Sequence, residues 1–405
     1  MSVLSPSDAK ETAEAVAWAA AEGASLEIVA GGTKRALGRP MKTDHVLDVS
    51  GLKGIVTYEP AELVLTVRPG EPLASINAEL EKNRQMLSFE PPDWRALLGA
   101  PGEATLGGVI ACNLAGSRRV RAGSARDYVL GFSAVNGFGD IWKAGGKVVK
   151  NVTGYDMGKL QAGAYGTLSA LTELTIKVMP KPETACTIVL HGLEDQSAIE
   201  TLAKALNSPF EVSAAAHLPA SAVRRSKAGV TARQGAATAL RLEGPRPSVA
   251  YRADALEKLV GRAARLDETE TQAFWPEVGA VQPLLEQGPR IVWRLCPTPS
   301  MSPSVAQSIL KALPSAEFYF DWGGGLIWLS LDAGQAGADA GVAIVRGALK
   351  PAGGHATLIA APEAIRASTP VFEPLEAAAA ALTERVKRGF DPRGVLNPGR
   401  MYEGL

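Results

Sequence analysis

Two short glycine-rich stretches hold the residues best suited to chemistry. The first, Ala30-Gly31-Gly32-Thr33-Lys34-Arg35, follows the apolar run Leu26–Val29 and places two cations directly after a Gly-Gly-Thr turn. The second opens at Pro101-Gly102 and runs through Ala104, Thr105, Gly107, Gly108 and Ala111 to Gly116, Gly123, Ser124 and Asp127. Small side chains at this density leave main-chain N–H groups open to close approach, which suits a phosphate or pyrophosphate. The same glycines also suit tight turns with positive φ, or a plain flexible loop. Neither stretch has the GxxxxGK[ST] spacing of a P-loop, and no GxGxxG occurs in the chain, so neither nucleotide motif applies.

The metal-binding residue types are sparse. Cys112, Cys186 and Cys296 are isolated from one another, and no CxxC is present. His45, His191, His217 and His355 are widely spread, and no pair has ligand spacing. Neither an iron–sulfur cluster nor a zinc site is expected, so the expected metal is none. An odd, low cysteine count fits a reducing cytoplasm.

The elements that must position the glycine loops can be read from periodicity. Residues 8–22 read as a helix with Ser7 as a possible N-cap. Strands are expected at 26–30, 46–49, 55–58 and 63–67, the last apolar enough to be buried on both faces. Pro72 opens a helix carrying Leu73, Ile76 and Leu80 at i, i+3 and i+7. Thr105 is a plausible N-cap for a helix starting at Leu106, where Gly107 and Gly108 cost about 1 kcal/mol each relative to Ala. That expense makes sense if a ligand must reach the helix start. A strand follows near 132–135. Gly154-Tyr155-Asp156 leads into a short helix, residues 163–167 form a glycine turn containing Gly166, and 168–178 reads as strand, including Ile176. Pro180-Lys181-Pro182 is the clearest linker.

Beyond the linker the texture changes to strands at 187–190, 239–242, 291–295, 318–320 and 326–331, interleaved with amphipathic helices. This pattern predicts an antiparallel sheet covered by helices. Near the end, Leu375, Ala379, Leu382 and Val386 mark one face of a helix. Lys387 and Arg388 are placed to complement its dipole and Gly389 to cap it. Asp391–Gly394 is a type I turn signal, and the tail continues as Leu396-Asn397-Pro398-Gly399-Arg400.

Bulk properties narrow the function classes. The chain has 405 residues, with 42 Lys+Arg against 42 Asp+Glu, so no charge surplus points to nucleic acid or an anionic membrane as the main partner. No uncharged apolar run approaches the roughly 20 residues needed to span a bilayer. The first sixteen residues lack an apolar signal core, so secretion is not expected.

Taken together, these segments resemble the PCMH-type, or vanillyl-alcohol oxidase, flavoprotein family. The carrying motifs are the strand–Gly-Gly loop at 30–35, PG-x-x-A-T-x-GG-x-x-A at 101–111, KN-x-x-GYD at 150–156, G-x-x-GTL at 163–168 and the terminal NPG at 397–399. The resemblance implies an α+β chain: a two-part PCMH-type FAD-binding domain at 1–180, an α+β cap domain with an antiparallel sheet at 181–372, and a helix and tail at 373–405 that return to the FAD domain. It implies FAD held by Ala30, Gly31, Gly32, Thr33, Lys34, Arg35, Pro101, Gly102, Ala104, Thr105, Gly107, Gly108, Ala111, Gly116, Gly123, Ser124, Asp127, Gly166, Ile176 and Asn397. Family members with covalent flavin often carry a histidine where Thr33 stands here, so dissociable FAD is expected.

Within that family, LGRP at 37–40, GGKVVKNVTGYD at 145–156, DWGGGLIW at 321–328, AGGHAT at 352–357 and the ending FDPRGVLNPGRMYEGL are similar to flavoprotein subunits of bacterial glycolate oxidases. This implies oxidation of glycolate to glyoxylate in a complex with a sister flavoprotein subunit and an iron–sulfur subunit, cytoplasmic or attached peripherally to the inner face of the membrane. The small 2-hydroxy acid would be the substrate. Family dehydrogenases carry a histidine and carboxylate cluster in the cap that this chain lacks. His355 is the remaining candidate base, with a buried structural histidine as the alternative. Trp322 and Asp321 either line the flavin face or belong to the core. Two other functions stay open: a self-sufficient D-2-hydroxyacid dehydrogenase, and a non-catalytic assembly subunit that keeps the flavin fold.

Overall fold

The computed structural model describes residues 2–146, 154–228, 235–285 and 290–405. The KN-x-x part of the motif at 150–156 lies outside these residues. At the start of the chain, β1 (Ser2–Leu4), β2 (Leu26–Val29) and β3 (His45–Asp48) form a parallel sheet in the order β1-β3-β2. The helix Ala9–Glu22 makes the crossover, and its N-cap is Asp8 rather than Ser7. The Asp8 carboxylate accepts from the Glu11 N–H, while Ser7 stands one residue outside and donates to the Glu11 carboxylate. An anion at the cap and another in the first turn both suit the positive helix end.

Next come β4 (Ile55–Glu59), β5 (Val64–Val67), β6 (Gln85–Met86), β7 (Val129–Asn136), β8 (Ile141–Gly145), β9 (Ser169–Lys177) and β10 (Met179–Pro180). Five of them make an antiparallel sheet in the order β4-β5-β9-β7-β8. All four residues of β5 are buried, as the continuous apolar run predicts. The linker at Pro180 is not free. β10 pairs with β6, and Lys181 donates to Arg84 O and to Glu81.

The remaining strands, β11 (Thr184–His191), β12 (Ala214–Leu218), β13 (Ala237–Gly244), β14 (Ala264–Leu266), β15 (Arg290–Cys296), β16 (Glu317–Asp321), β17 (Leu326–Asp332) and β18 (His355–Ala360), form one antiparallel sheet in the order β14-β11-β13-β12-β16-β17-β15-β18. Strand alternation divides its two faces. Ile291, Trp293 and Leu295 of β15, and Ile327, Leu329 and Leu331 of β17, pack beneath the helices Asp195–Leu206, Arg246–Val260 and Ser302–Ala312. Val292, Tyr319 and Trp328 point the other way, into a core shared with Leu65, Phe89, Trp94 and Leu106 of the first half. Trp94 meets Trp328 edge to face at 5.5 Å, and its Nε1 donates to Gly279 O. Burying such side chains contributes roughly 1.5–3 kcal/mol each, so the two halves are welded by one apolar core.

The C-terminal helix, Ala377–Phe390, departs from expectation in two ways. Gly389 lies inside its last turn, and Asp391 is the C-cap. Leu382 is 54% exposed, so the apolar stripe does not enter the core. Instead the helix is anchored by Lys387, a buried cation that donates to Thr167 O, Leu396 O and the Asp391 carboxylate at 2.6–3.0 Å. Leu396 then bridges in parallel to Leu26, which adds the tail to the edge of the first sheet.

Candidate functional site

Where β2 ends, Ala30–Arg35 turns along the rim of a cavity with about 710 Å³ of empty space, partly open to solvent. Two observations suit it to an anion. Among the described residues, the N–H groups of Gly31, Gly32, Thr33 and Lys34 have no acceptor within the protein. The Ser169 hydroxyl in the same wall is buried without a hydrogen-bond partner. Buried polar groups are rarely left so, and consecutive open N–H dipoles favour a phosphate. Gly32, at φ +72°, has open space where a Cβ would stand.

The two cations after the turn differ. Arg35 is paired with Glu27, with Nε 2.9 Å from the carboxylate, and its side chain is half exposed. Lys34 lines the cavity, its stem packs on Gly108 and, among the described residues, its ammonium donates only to Thr33 Oγ1 at 2.9 Å. Burial pushes the Lys34 pKa down, a bias that a bound phosphate would reverse.

The second glycine loop serves as backing more than as donor. Thr105 caps the helix Leu106–Ala111 by accepting from Gly108 N–H, as the sequence suggests. Leu106 N–H donates to Glu71 O and Gly107 N–H to Pro69 O. The first N–H groups of this helix are therefore already satisfied, contrary to the expectation that a ligand uses them. Gly107 is required by Pro69, whose Cβ would lie 2.6 Å from an added methyl. Gly31 and Gly102 are required by each other's loops, since a Cβ on either would fall 1.8 Å from a carbonyl oxygen of the other loop.

Thr105, Gly107, Gly108, Ala111, Gly166 and Asn397 join Ala30–Arg35 around the cavity. Asn397, at φ +43°, accepts from Ile28 N–H and donates to Tyr165 O, so the tail fixes both the end of β2 and the Gly166 turn. Pro101, Gly102, Ala104, Gly116, Gly123, Ser124, Asp127 and Ile176 do not line it. Ile176 is in the apolar core of β9. Ser124 and Asp127 form a self-contained capping box, and Gly123, at φ +78°, leaves room for the Asp127 carboxylate. Gly116 faces the large sheet instead. Its carbonyl accepts from Trp322 Nε1 at 3.1 Å, and the neighbouring Ser117 donates to the buried Asp321 carboxylate at 2.7 Å.

Cys112 and Tyr165 also line a second cavity, of about 1580 Å³ of empty space, at the junction with the large sheet. His355 opens onto it, exposed at the start of β18 rather than buried, opposite Cys296 in the β15–β18 register. Burial alone would raise the Cys296 thiol, but the hydrogen bond with His355 and the charges of Arg294 and Arg119 outweigh it and pull it down. Trp322 also lines this space, while Asp321 belongs to the core beneath it. Arg400, Arg119 and Arg294 escaped the sequence reading. Lone arginines hundreds of residues apart carry no spacing signal, although Arg400 directly follows the NPG motif.

A family profile described as an FAD binding domain matches residues 2–145. Glycolate oxidase subunit GlcE of Escherichia coli (strain K12) is 35% identical over 392 residues, 97% of each chain. The chain belongs to the GlcE family. Glycolate oxidase subunit GlcD of Bacillus subtilis (strain 168) is 34% identical over 163 residues, covering 40% of this chain and 33% of that one. The solved structure of p-cresol methylhydroxylase with substrate bound superposes with a TM-score of 0.71 at 13% identity, covering 99% of this chain and 88% of the other. The latter likeness speaks to the fold, which is the expected PCMH-type α+β architecture.

Proposed function

We propose that this chain is the FAD-binding subunit of a glycolate oxidase complex and takes part in oxidising glycolate to glyoxylate. The carrying observation is the cradle of four unsatisfied N–H groups, Gly31 to Lys34, inside the segment that matches an FAD binding domain. These residues fit a pyrophosphate. The loop N–H groups and the Lys34 ammonium would hold the phosphates, Ser169 would donate or accept within the wall, and Asn397 would keep the turn at Gly166 in place. Bound FAD would supply a two-electron acceptor for the CH–OH carbon of the acid. Thr33, buried and hydrogen-bonded to Lys34, offers no imidazole for a covalent link, so the cofactor is held non-covalently.

The relatives named as glycolate oxidase subunits support assembly with a sister flavoprotein subunit, and an iron–sulfur subunit would take the electrons onward. No helix among the described residues is long and apolar enough to cross a membrane. We infer that the complex is either cytoplasmic or attached peripherally to the inner face of the membrane. A second reading, oxidation of the acid by this chain itself with His355 as base, is favoured by the position of His355 at the junction cavity.

The test is anaerobic addition of glycolate to the purified, FAD-loaded chain and to the complex recovered from its native cell. Bleaching of the flavin in the complex supports the subunit reading, and bleaching in the isolated chain supports the second. Absence of bound flavin, with no rise in melting temperature on adding FAD, overturns both. Acid extraction should release the chromophore into the supernatant.

A further inference from the structure

We propose that Arg119 and Arg294 form a carboxylate clamp on the junction cavity, gripping the acid group of a small 2-hydroxy acid against the face of Trp322. The proposal deepens the reading of this chain as a glycolate oxidase subunit and rests on it for the identity of the acid.

Trp322 follows β16 in a tight turn at φ +52° and is fixed by its Nε1 bond to Gly116 O. Both guanidinium carbons lie over its ring, Arg119 at 4.9 Å and Arg294 at 5.1 Å from the centroid. Arg119 comes from the short helix Arg119–Ala122 of the first half and Arg294 from β15 of the large sheet. The cavity between the halves is thus bounded by a cation from each side, no more than about 10 Å apart given one shared ring.

Neither guanidinium has a hydrogen-bond acceptor or carboxylate partner among the described residues. Other interior arginines are paired: Arg118 with Glu243, Arg241 with Glu90, Arg346 with Glu373, and Arg252 and Arg366 with main-chain carbonyls. Glu373, which shares the cavity, is engaged by Ala356 N–H and Arg346. Two half-buried like charges on one cavity repel: burial, Arg294 and Arg126 drive the Arg119 pKa down, while Cys296 and Asp127 only partly offset them, and Glu376, the other carboxylate of the lining, is exposed to solvent. The Cys296 thiol beside them, raised by burial, is pulled down first by its hydrogen bond with His355 and then by the charges of Arg294, His355 and Arg119. A planar guanidinium pinned on a ring keeps its donors in a fixed fork that matches a carboxylate. The contiguity with the FAD cavity through Cys112 and Tyr165 brings the clamped acid to the cofactor.

Oxalate, a small dianion that cannot undergo the CH–OH oxidation, tests the clamp by calorimetric titration of the FAD-loaded protein. Saturable binding that weakens with added salt is expected, with at least a tenfold loss of affinity in Arg119→Gln and in Arg294→Gln and unchanged flavin content. The glutamine keeps much of the stem on Trp322, and Arg294→Lys should recover part of the affinity. No oxalate binding by the wild-type chain, or equal binding by the variants, overturns the clamp. Loss of flavin with oxalate affinity intact assigns the arginines to the cofactor and also overturns it. If flavin binds and glycolate bleaches it while oxalate does not bind, the clamp alone fails. If oxalate binds but FAD never does, the cofactor reading fails and the clamp stands.

Discussion

Gly31 and Gly102 hold their two loops backbone against backbone: a Cβ on Gly102 would sit 1.8 Å from Gly31 O, and one on Gly31 the same distance from Glu103 O. Neither position can gain a methyl without prising the loops apart, and overpacking of this kind costs about 1–3 kcal/mol. Gly102→Ala should lower the melting temperature and weaken FAD binding at least tenfold, measured by flavin fluorescence on titration. A variant that binds flavin normally would show that loop closure does not shape the cradle.

Lys34 and Arg35 should separate cleanly. Lys34→Met removes the loop cation that, among the described residues, has no carboxylate partner, and losing a charge-assisted bond to phosphate costs roughly 1.5–3 kcal/mol, or about tenfold to a hundredfold in FAD affinity. Arg35→Met should change affinity less than threefold, because Glu27 already neutralises that guanidinium. Equal losses from the two variants would contradict the assignment.

Lys387→Met should unfold the chain at markedly lower denaturant. The Asp391 carboxylate is fully buried beside the ammonium, and removing one partner of a buried pair costs about 3–5 kcal/mol. Lys387→Met/Asp391→Asn, which removes the stranded charge as well, should recover part of the loss. Equilibrium urea unfolding measures both.

Burial raises the Asp321 pKa to about 7 from the ordinary carboxylate value of 3.8, while Ser117, Trp322 N–H and Arg241 pull it down and Glu90 pushes it up. A raised acid binds its proton more tightly in the folded state than in the unfolded one, so this group's contribution is most favourable at low pH. It is lost progressively as pH rises from about 4 to about 7. Asp321→Asn keeps an acceptor for Trp322 N–H and can donate to Ser117. It should flatten the pH dependence of melting over that window and be more stable than wild type at pH 8. An unchanged slope would show that Asp321 does not titrate in it.

The glycine loops, the Thr105 cap and most strands were legible because turn chemistry and apolar period are local. The strand Ala214–Leu218 was not, since AAAHL lacks the β-branched residues that mark a strand, and its place in the sheet comes from neighbours. The helix Glu268–Gly279 hides behind its internal Pro276. The site was legible in kind but not in detail. Glycines that looked made for a ligand, such as Gly102, Gly107 and Gly116, are small because another backbone or ring needs the room. The residues that face open space beside them, Ser169, Arg119 and Arg294, have no local pattern and are found only once the halves close.

The bridge between Leu26 and Leu396, with Asn397 bonded to Ile28 and Tyr165, sets an order of events for a growing polypeptide. Residues 26–35 leave the ribosome early, yet the strand that fixes them is made some 370 positions later in the count of the chain. The cofactor wall therefore cannot be completed while the intervening sheet is still being synthesised. Chains truncated before Leu396 should therefore hold less flavin than the full chain, because the end of β2 and the turn at Gly166 lose the contacts that fix them.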